Sequence, residues 1–526
     1  MSSEAALRVF QGAAGNRDAV TGAEANGNAL VQTRETGDAG HANAASSAIA
    51  APEYASDGDA AVPLVVDLDG TLVSSDLLIE SAMLFAKERP LEALKLPFWL
   101  TEGRARFKQR IAREVRPDAR TLPYNRALIA YVEEQKRRGR RIILATAADE
   151  AIARDVAREL GLFDAVYASD GQTNLKGVRK RDRLVAEFGL AGFDYAGNGK
   201  IDRVVWAAAR KAIIVGANAD VREGTARGYD VARVFEDGAS GLNALVEALR
   251  VKHWFKNALV FVPLLTAHRL FDVASLLHAL AAFVAFCFCA SSVYLLNDLL
   301  DLPHDRVHPH KKQRALASGR LRVGHALIVM PLLWAGAIGV SLTQPPAMLS
   351  VLALYCFLML AYCFRLRDNV VVDVVTLAAG YALRVMAGSA ATELPVAPLV
   401  VSACVLFFFG LALLKRYAEL VTMRSIGGSG ARGYFVGHSA VVAGFGTASG
   451  YLAIAMLMLE TGFEHPLFSR YSLIWIGYAL VIYWTTHIWL MARRGRITDD
   501  PVSFTLTDPV SRIVGVAVAL LLLLSA

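Results

Sequence analysis

The chain has 526 residues, 55% of them hydrophobic, with a mean hydropathy of +0.38. That is too apolar for one soluble domain and long enough for two or three domains. The net charge of +7 does not mark nucleic-acid binding, because the charged residues crowd the first half and the loops of the second. This is the distribution of a soluble domain joined to a membrane domain with basic loops on its inner side.

Residues 1–60 are rich in Ala, Gly, Asn, Ser and Asp without a periodic apolar face, and predict a disordered tail. Residues 1–25 lack a continuous apolar core, so no signal peptide is expected and the part before the first membrane run should be cytoplasmic. Residues 61–247 predict a soluble α/β domain. Strands are expected at Val62–Val66, Arg141–Ala145, Ala165–Ala168, Tyr195–Ala196, Ala212–Val215 and Val231–Phe235, with a polar helical segment over 75–138 and a helix at Asp149–Leu160. The alternation argues a parallel, doubly wound sheet.

Residues 248–526 predict an all-α polytopic membrane bundle of about nine transmembrane helices. The apolar runs lie near 255–270, 274–296, 324–343, 347–364, 370–391, 396–414, 438–459, 472–492 and 510–526. With the soluble domain inside, the inner loops carry fifteen Lys/Arg and the opposite loops only Arg269 and Arg470, an imbalance that sets the orientation. The five cysteines lie in or beside apolar runs without zinc spacing, and read as packing residues in a reducing compartment.

Asp67 and Asp69 follow the first strand in Asp67-Leu68-Asp69-Gly70-Thr71. Two carboxylates so spaced can divide labour, one attacking phosphorus and the other protonating the leaving oxygen. With Thr146 in LATAA, Lys176 in NLKG and the run Gly197–Asp202, the region resembles the haloacid-dehalogenase (HAD) phosphatases. The resemblance implies a Rossmannoid sheet with a helical cap formed by 75–138. It also implies Asp67 as nucleophile, Asp69 as general acid/base, Thr146 and Lys176 on the phosphate, and Mg²⁺ on Asp67, the Asp69 carbonyl, Asn198 and Asp202. Asn198 stands where such enzymes usually carry Asp, which keeps an oxygen but loses a charge and puts Asp202 forward as compensation.

The second half centres on 297–319, at the mouth of a membrane run. Asn297, Asp298, Asp301 and Asp305 come first, and Arg306, Lys311, Lys312 and Arg314 follow. Acids then bases suit a Mg²⁺-diphosphate, the carboxylates holding the metal and the cations the phosphate oxygens. On one helix Asp298, Asp301 and Asp305 would share a face. A second polar set holds Tyr362, Arg365, Arg367, Asp373 and Arg384. Asp373 and Arg384 are three turns apart, too far to bond directly, and as buried ionisable groups should line a cavity. Lys415, Arg416 and Glu419 form a third set, where Lys415 and Arg416 alone would read as interface anchors.

Residues 248–526 resemble the UbiA-type intramembrane prenyltransferases, and more closely their decaprenyl-phosphate phosphoribosyltransferase-like branch. The resemblance runs from Asn297 through His308-Pro309, Lys311 and Arg314 to Ala317-Ser318-Gly319, with Ala315 in place of Pro; further on Tyr362, Asp373 and 415–419 match, and Arg367 replaces Lys but keeps the charge. It implies a bacterial-type cytoplasmic membrane, a polyprenyl phosphate acceptor and 5-phosphoribosyl diphosphate as donor. Mg²⁺ on Asp298, Asp301 and Asp305 would neutralise the leaving diphosphate. Asn297, Lys311, Arg314, Tyr362, Arg367, Asp373, Arg384 and Lys415 are the candidates for substrate contacts. Two alternatives stay open: transfer from a prenyl diphosphate to a small or aromatic acceptor, and a silent membrane anchor for a HAD phosphatase.

Overall fold

The computed structural model describes residues 61–216, 228–235, 241–308, 311–425, 430–431, 434–464, 473–497 and 501–525. The tail expected over 1–60 lies outside the described residues.

Six strands form the soluble domain's sheet: β1 Leu64–Val66, β2 Ile142–Asp149, β3 Ala165–Ser169, β4 Asp194–Gly197, β5 Ala212–Val215 and β6 Val231–Phe235. All pairings are parallel and the spatial order is β3-β2-β1-β4-β5-β6. The two-residue period of a strand sorts its side chains into two cores. Leu64, Val66, Ile142, Leu144, Ile213 and Val215 face one side, while Val65, Ile143, Ala145, Tyr195 and Ile214 face the other. Chain order reverses at β1, so the loops after β1 and β4 part and leave a crevice at their carboxyl ends.

The polar segment after β1 folds mainly as α1 Leu77–Glu88, α2 Arg104–Glu114 and α3 Arg126–Arg137. Asp76 caps α1, its carboxylate accepting the N–H groups of Leu78 and Ile79. Phe85 of α1 packs with Trp99, Ile111 and Val115 in a small core of its own, which makes this segment a separate cap. The sheet carries α4 Glu150–Leu160 and α5 Val178–Phe188, and α6 Gly241–Ala248 leads to the membrane half.

Seven helices are long and apolar enough to cross a membrane among the described residues: α7 Val273–Leu300, α8 Val323–Ser341, α9 Pro346–Phe364, α10 Val370–Thr392, α11 Pro398–Ser425, α12 Ser439–Glu464 and α13 Leu473–Arg493. The protein is therefore a multi-pass membrane protein. Two of the nine expected runs differ. The run at 255–270 becomes a 3₁₀ helix, Val251–Phe261, followed by a short α-helix, Val262–Thr266, whose second residue is Pro263. The last run pairs with its predecessor instead, α14 Pro501–Thr507 and α15 Pro509–Ser525 meeting at an 87° bend. Pro509 has no amide hydrogen to continue α14, which is the local cause of the break.

The two halves touch. Ile79 and Met83 of α1 pack on an apolar cluster that includes Leu295 and Leu299 of α7, Leu302, Leu316 and Leu321. Gly319 (φ +77°) sits where a Cβ would come within 2.7 Å of the Ser74 side chain. Both the left-handed backbone and the close approach require glycine at that position.

Candidate functional sites

The crevice in the sheet gathers most of the expected phosphatase residues. Asp67 leaves β1 buried, and its Oδ1 accepts from the Lys180 ammonium at 2.6 Å while Thr71 Oγ1 donates to Oδ2 at 3.3 Å. Lys180 also donates to the Tyr195 hydroxyl at 2.9 Å, which in turn donates to Asp202 Oδ1 at 2.9 Å. Asp202 Oδ2 accepts the backbone N–H groups of Asn198 and Gly199 at 3.1 and 2.9 Å. Gly70 (φ +74°) lets the loop after β1 approach Asn198, since a Cβ there would stand 2.1 Å from Asn198 Nδ2.

Asp69 is held differently. Its Oδ1 accepts the Leu77 N–H at the start of α1 at 3.0 Å. Burial, then the nearby charge of Asp76, push its carboxyl up to about 7. Burial also raises Asp67, with Lys180 opposing. Thr146 lies buried in β2, where its hydroxyl accepts the Ala148 N–H at 2.9 Å. From the cap, Lys108 of α2 reaches down to the Ala147 carbonyl and, at 3.0 Å, to Asn174 Oδ1. Burial lowers its pKa, and the Asp69 charge pulls the other way.

Lys176, expected on the phosphate, is exposed, while Lys180, the third residue of α5, supplies the buried ammonium at Asp67. The helix begins at Val178, so Lys176 lies on the loop before it and Lys180 on its inward face. Oxygen donors suited to Mg²⁺ are present in Asp67, the Asp69 carbonyl, the Asn198 amide and Asp202, and the oxygens of both Asp67 and Asp202 accept hydrogen bonds.

In the membrane half the chain leaves α7 at Asp301 (φ −98°, ψ 3°) and starts a six-residue helix, Leu302–Val307. The single-face arrangement expected for Asp298, Asp301 and Asp305 is therefore not formed. Among the described residues no group of three His, Cys, Asp or Glu side chains is arranged to hold a metal. Two of the three carboxylates do meet. Asp298 Oδ1 and Asp305 Oδ2 accept from the same Arg314 nitrogen at 3.1 and 2.6 Å. Asp298 Oδ1 also accepts from Arg250 at 2.6 Å.

Asp301 turns to a second group. Arg367 holds both its oxygens at 2.7 Å and reaches Asn297 Oδ1 at 2.9 Å. Lys87 of α1 adds a third bond to Asp301 at 3.0 Å. Burial would raise the Asp301 carboxyl, but Arg367 and Lys87 hold it down to about 2. Asp305 Oδ1 is buried with no hydrogen-bond partner among the described residues, an oxygen suited to a cation. Asp298 and Asp305 thus fit a Mg²⁺ ion, with Asp301 on the adjoining arginine.

Further in, the Tyr362 hydroxyl donates to Asp373 at 2.8 Å, and Arg416 grips the same carboxylate at 2.5 and 2.9 Å. Arg416 is 1% exposed, so it is an internal ion-pair partner and not an interface anchor. Lys415 and Lys311 are half-buried, Lys415 beside Arg416 and Lys311 after the Asp-rich turn. Arg384 lies deeper, bonded to Asn257 Oδ1 at 2.7 Å, Gly380 O at 2.6 Å and the Tyr355 hydroxyl at 2.9 Å. Asp373 and Arg384 thus have separate partners, as their spacing predicts. Sequence reasoning missed Lys180, Arg250, Lys108 and Lys87. Arg250 just precedes the polar and aromatic run Lys252-His253-Trp254-Phe255-Lys256-Asn257 at the mouth of the membrane half, which is the signal that the sequence offers for it.

Fold and sites together define a multi-pass membrane enzyme carrying an N-terminal α/β domain with a carboxylate-lined crevice. Residues 258–507 match the UbiA prenyltransferase family, and residues 64–218 match the haloacid dehalogenase-like hydrolases. The chain is 33% identical over 474 residues to the uncharacterized protein y4nM of Sinorhizobium fredii, covering 88% of this chain and 90% of that one. It is 36% identical over 183 residues to a decaprenyl-phosphate phosphoribosyltransferase of Corynebacterium glutamicum, covering 34% of this chain and 55% of that relative. Among solved structures, a UbiA homolog from Archaeoglobus fulgidus bound to DMAPP and Mg²⁺ aligns at 15% identity and a TM-score of 0.41, over 54% of this chain and 97% of that one. The chain carries a UbiA prenyltransferase domain with a HAD-like domain at its N-terminal side.

Proposed function

We propose that the membrane domain transfers 5-phosphoribosyl from phosphoribosyl diphosphate to a polyprenyl phosphate at the cytoplasmic face, and that the HAD-like domain removes the product's 5-phosphate. The carrying observation is the contact between the HAD-like cap and the Asp-rich turn: Lys87 and Glu80 of the cap bond Asp301 and Arg306 of the turn. Prenyl transfer yields no phosphomonoester for such a neighbour, whereas phosphoribosyl transfer does. The name of the C. glutamicum relative supports the same donor.

In the first step a phosphate oxygen of the lipid attacks the anomeric carbon, the bond to the diphosphate breaks, and the diphosphate leaves with the electron pair. A bound Mg²⁺ supplies charge neutralisation of that leaving group. Asp298 and Asp305 would hold it, while Arg250, Arg314 and Arg367 turn their donors to phosphate oxygens. Lys311 and Lys415 are proposed as further phosphate contacts, and Tyr362 and Asp373 as ribose contacts. In the second step the Asp67 carboxylate attacks phosphorus, the bond to O5 breaks, and Asp69 gives its proton to O5. Water then releases phosphate from Asp67, with Asp69 taking the proton. Lys180 holds Asp67 in place and faces the incoming phosphate. Thr146 and Lys108 are proposed on the remaining phosphate oxygens. A shared membrane face gives the second site a high effective concentration of the first site's product.

Donor identity is the test. Purified protein with polyprenyl phosphate should turn over phosphoribosyl diphosphate, and turnover confined to prenyl diphosphates would transfer the assignment to prenyl chemistry. The two lysines give a second expected result. Lys180→Met should lower hydrolysis of a soluble phosphomonoester by roughly 10²–10³-fold. Lys176→Met should change it by less than about threefold, as for an exposed charge. Steady-state kinetics of both variants check this.

A further inference from the structure

Helix α1 belongs to the phosphatase cap, yet its residues serve both halves of the chain. At its start the Leu77 N–H holds Asp69. One turn on, Glu80 binds Arg306 through both guanidinium nitrogens, and the two side chains are 4% and 5% exposed. Two turns after Glu80, on the same face, Lys87 reaches Asp301. The helix therefore lies along the Asp-rich turn with its apolar residues Ile79 and Met83 seated beside it.

Docking alone does not require Lys87. Glu80–Arg306 and the apolar contact already fix α1. Arg367 already satisfies both oxygens of Asp301. Lys87 is a second cation on an already paired carboxylate, and its side chain is still 30% exposed. Around Asp298, Asp301 and Asp305 stand four cations, Lys87, Arg250, Arg314 and Arg367, so the cluster carries an excess positive charge before any metal is added. A divalent cation on the carboxylates enlarges the excess and releases the cations from them. Such a cluster is matched by a multiply charged anion.

We propose that Lys87, carried by the HAD-like domain, is a diphosphate-binding residue of the membrane site, so that the soluble domain completes the pocket of the transferase. It rests on the reading of the Asp-rich turn as a Mg²⁺-diphosphate site. Lys87 swings from Asp301 to a diphosphate oxygen when the donor binds, and donor occupancy is thereby felt by the helix that also holds Asp69.

The test uses the full chain in detergent, titrated calorimetrically with inorganic diphosphate in the presence of Mg²⁺. Lys87→Met, which keeps the stem and removes the charge, should weaken binding about tenfold, the worth of one charge-assisted hydrogen bond. Lys87→Arg should restore most of it. Hydrolysis of a soluble phosphomonoester should stay at the wild-type rate in both, which reports an intact fold. Wild-type affinity in Lys87→Met overturns the proposal and leaves Lys87 as a docking pair. Equal losses in Lys87→Met and Lys87→Arg also overturn it, since they report geometry and not charge. If the wild type binds Mg²⁺-diphosphate with the Lys87 dependence but transfers no phosphoribosyl group, the donor assignment fails and the role of Lys87 stands.

Discussion

Asp298→Asn is expected to abolish group transfer to lipid, lowering turnover by at least about 10²–10³-fold, or about 3–4 kcal/mol of transition-state stabilisation. Asp298 sits where two requirements meet. It is 5% exposed at the end of α7, and it holds Arg250 and Arg314 through one oxygen. Arg314 is shared with Asp305, so removing the Asp298 charge alters both the proposed metal site and the aim of two phosphate-binding guanidiniums. Asn keeps the volume and an accepting oxygen, which limits the structural cost, and Arg250 at 21% side-chain exposure can turn to solvent. The loss should therefore appear in turnover while the detergent-solubilised protein remains monodisperse. Retained transfer would leave the Asp-rich turn a structural salt-bridge cluster.

Asp67→Asn is expected to leave transfer intact and to stop phosphate removal by on the order of 10⁵–10⁶-fold, the scale seen when a covalent nucleophile is deleted. The amide cannot attack phosphorus, and it also loses the charge that Lys180 pairs at 2.6 Å. The lipid product should then accumulate with its 5-phosphate in place, as a species with one more phosphate by mass spectrometry. The variant is a clean separation because Asp67 lies in the sheet crevice, and Thr71 and Lys180, whose side chains bond it, are both in the soluble domain. Loss of transfer together with hydrolysis would mean that the two halves work as one unit through α1.

The fold was readable wherever a local period carried it. The buried strand β5 falls at the expected residues, because a parallel strand covered on both faces is a continuous apolar run. The first membrane run was misjudged in type, since apolar composition does not distinguish a 3₁₀ path broken at Pro263 from a long α-helix. Among site residues, the carboxylates were legible because they come in dense, spaced groups. Their partners were not, for reasons of reach. Lys176 and Lys180 are both basic residues of one motif, and only the phase of α5 decides which ammonium turns inward. Asp373 meets Arg416 from another helix, 43 residues away, and no spacing within α10 could indicate it. Lys87 lies in the last turn of α1, where a lysine ordinarily faces water, and only the docking of α1 on the Asp-rich turn gives it a partner.

The most direct measurement follows both steps at once. Phosphoribosyl diphosphate labelled separately on a ribose carbon and on the 5-phosphate is given to the wild-type protein with polyprenyl phosphate and Mg²⁺. The ribose label should pass into the lipid fraction while the 5-phosphate label appears as inorganic phosphate. Failure of the ribose label to reach lipid would contradict phosphoribosyl transfer, and both labels remaining together on lipid would contradict the coupled phosphatase.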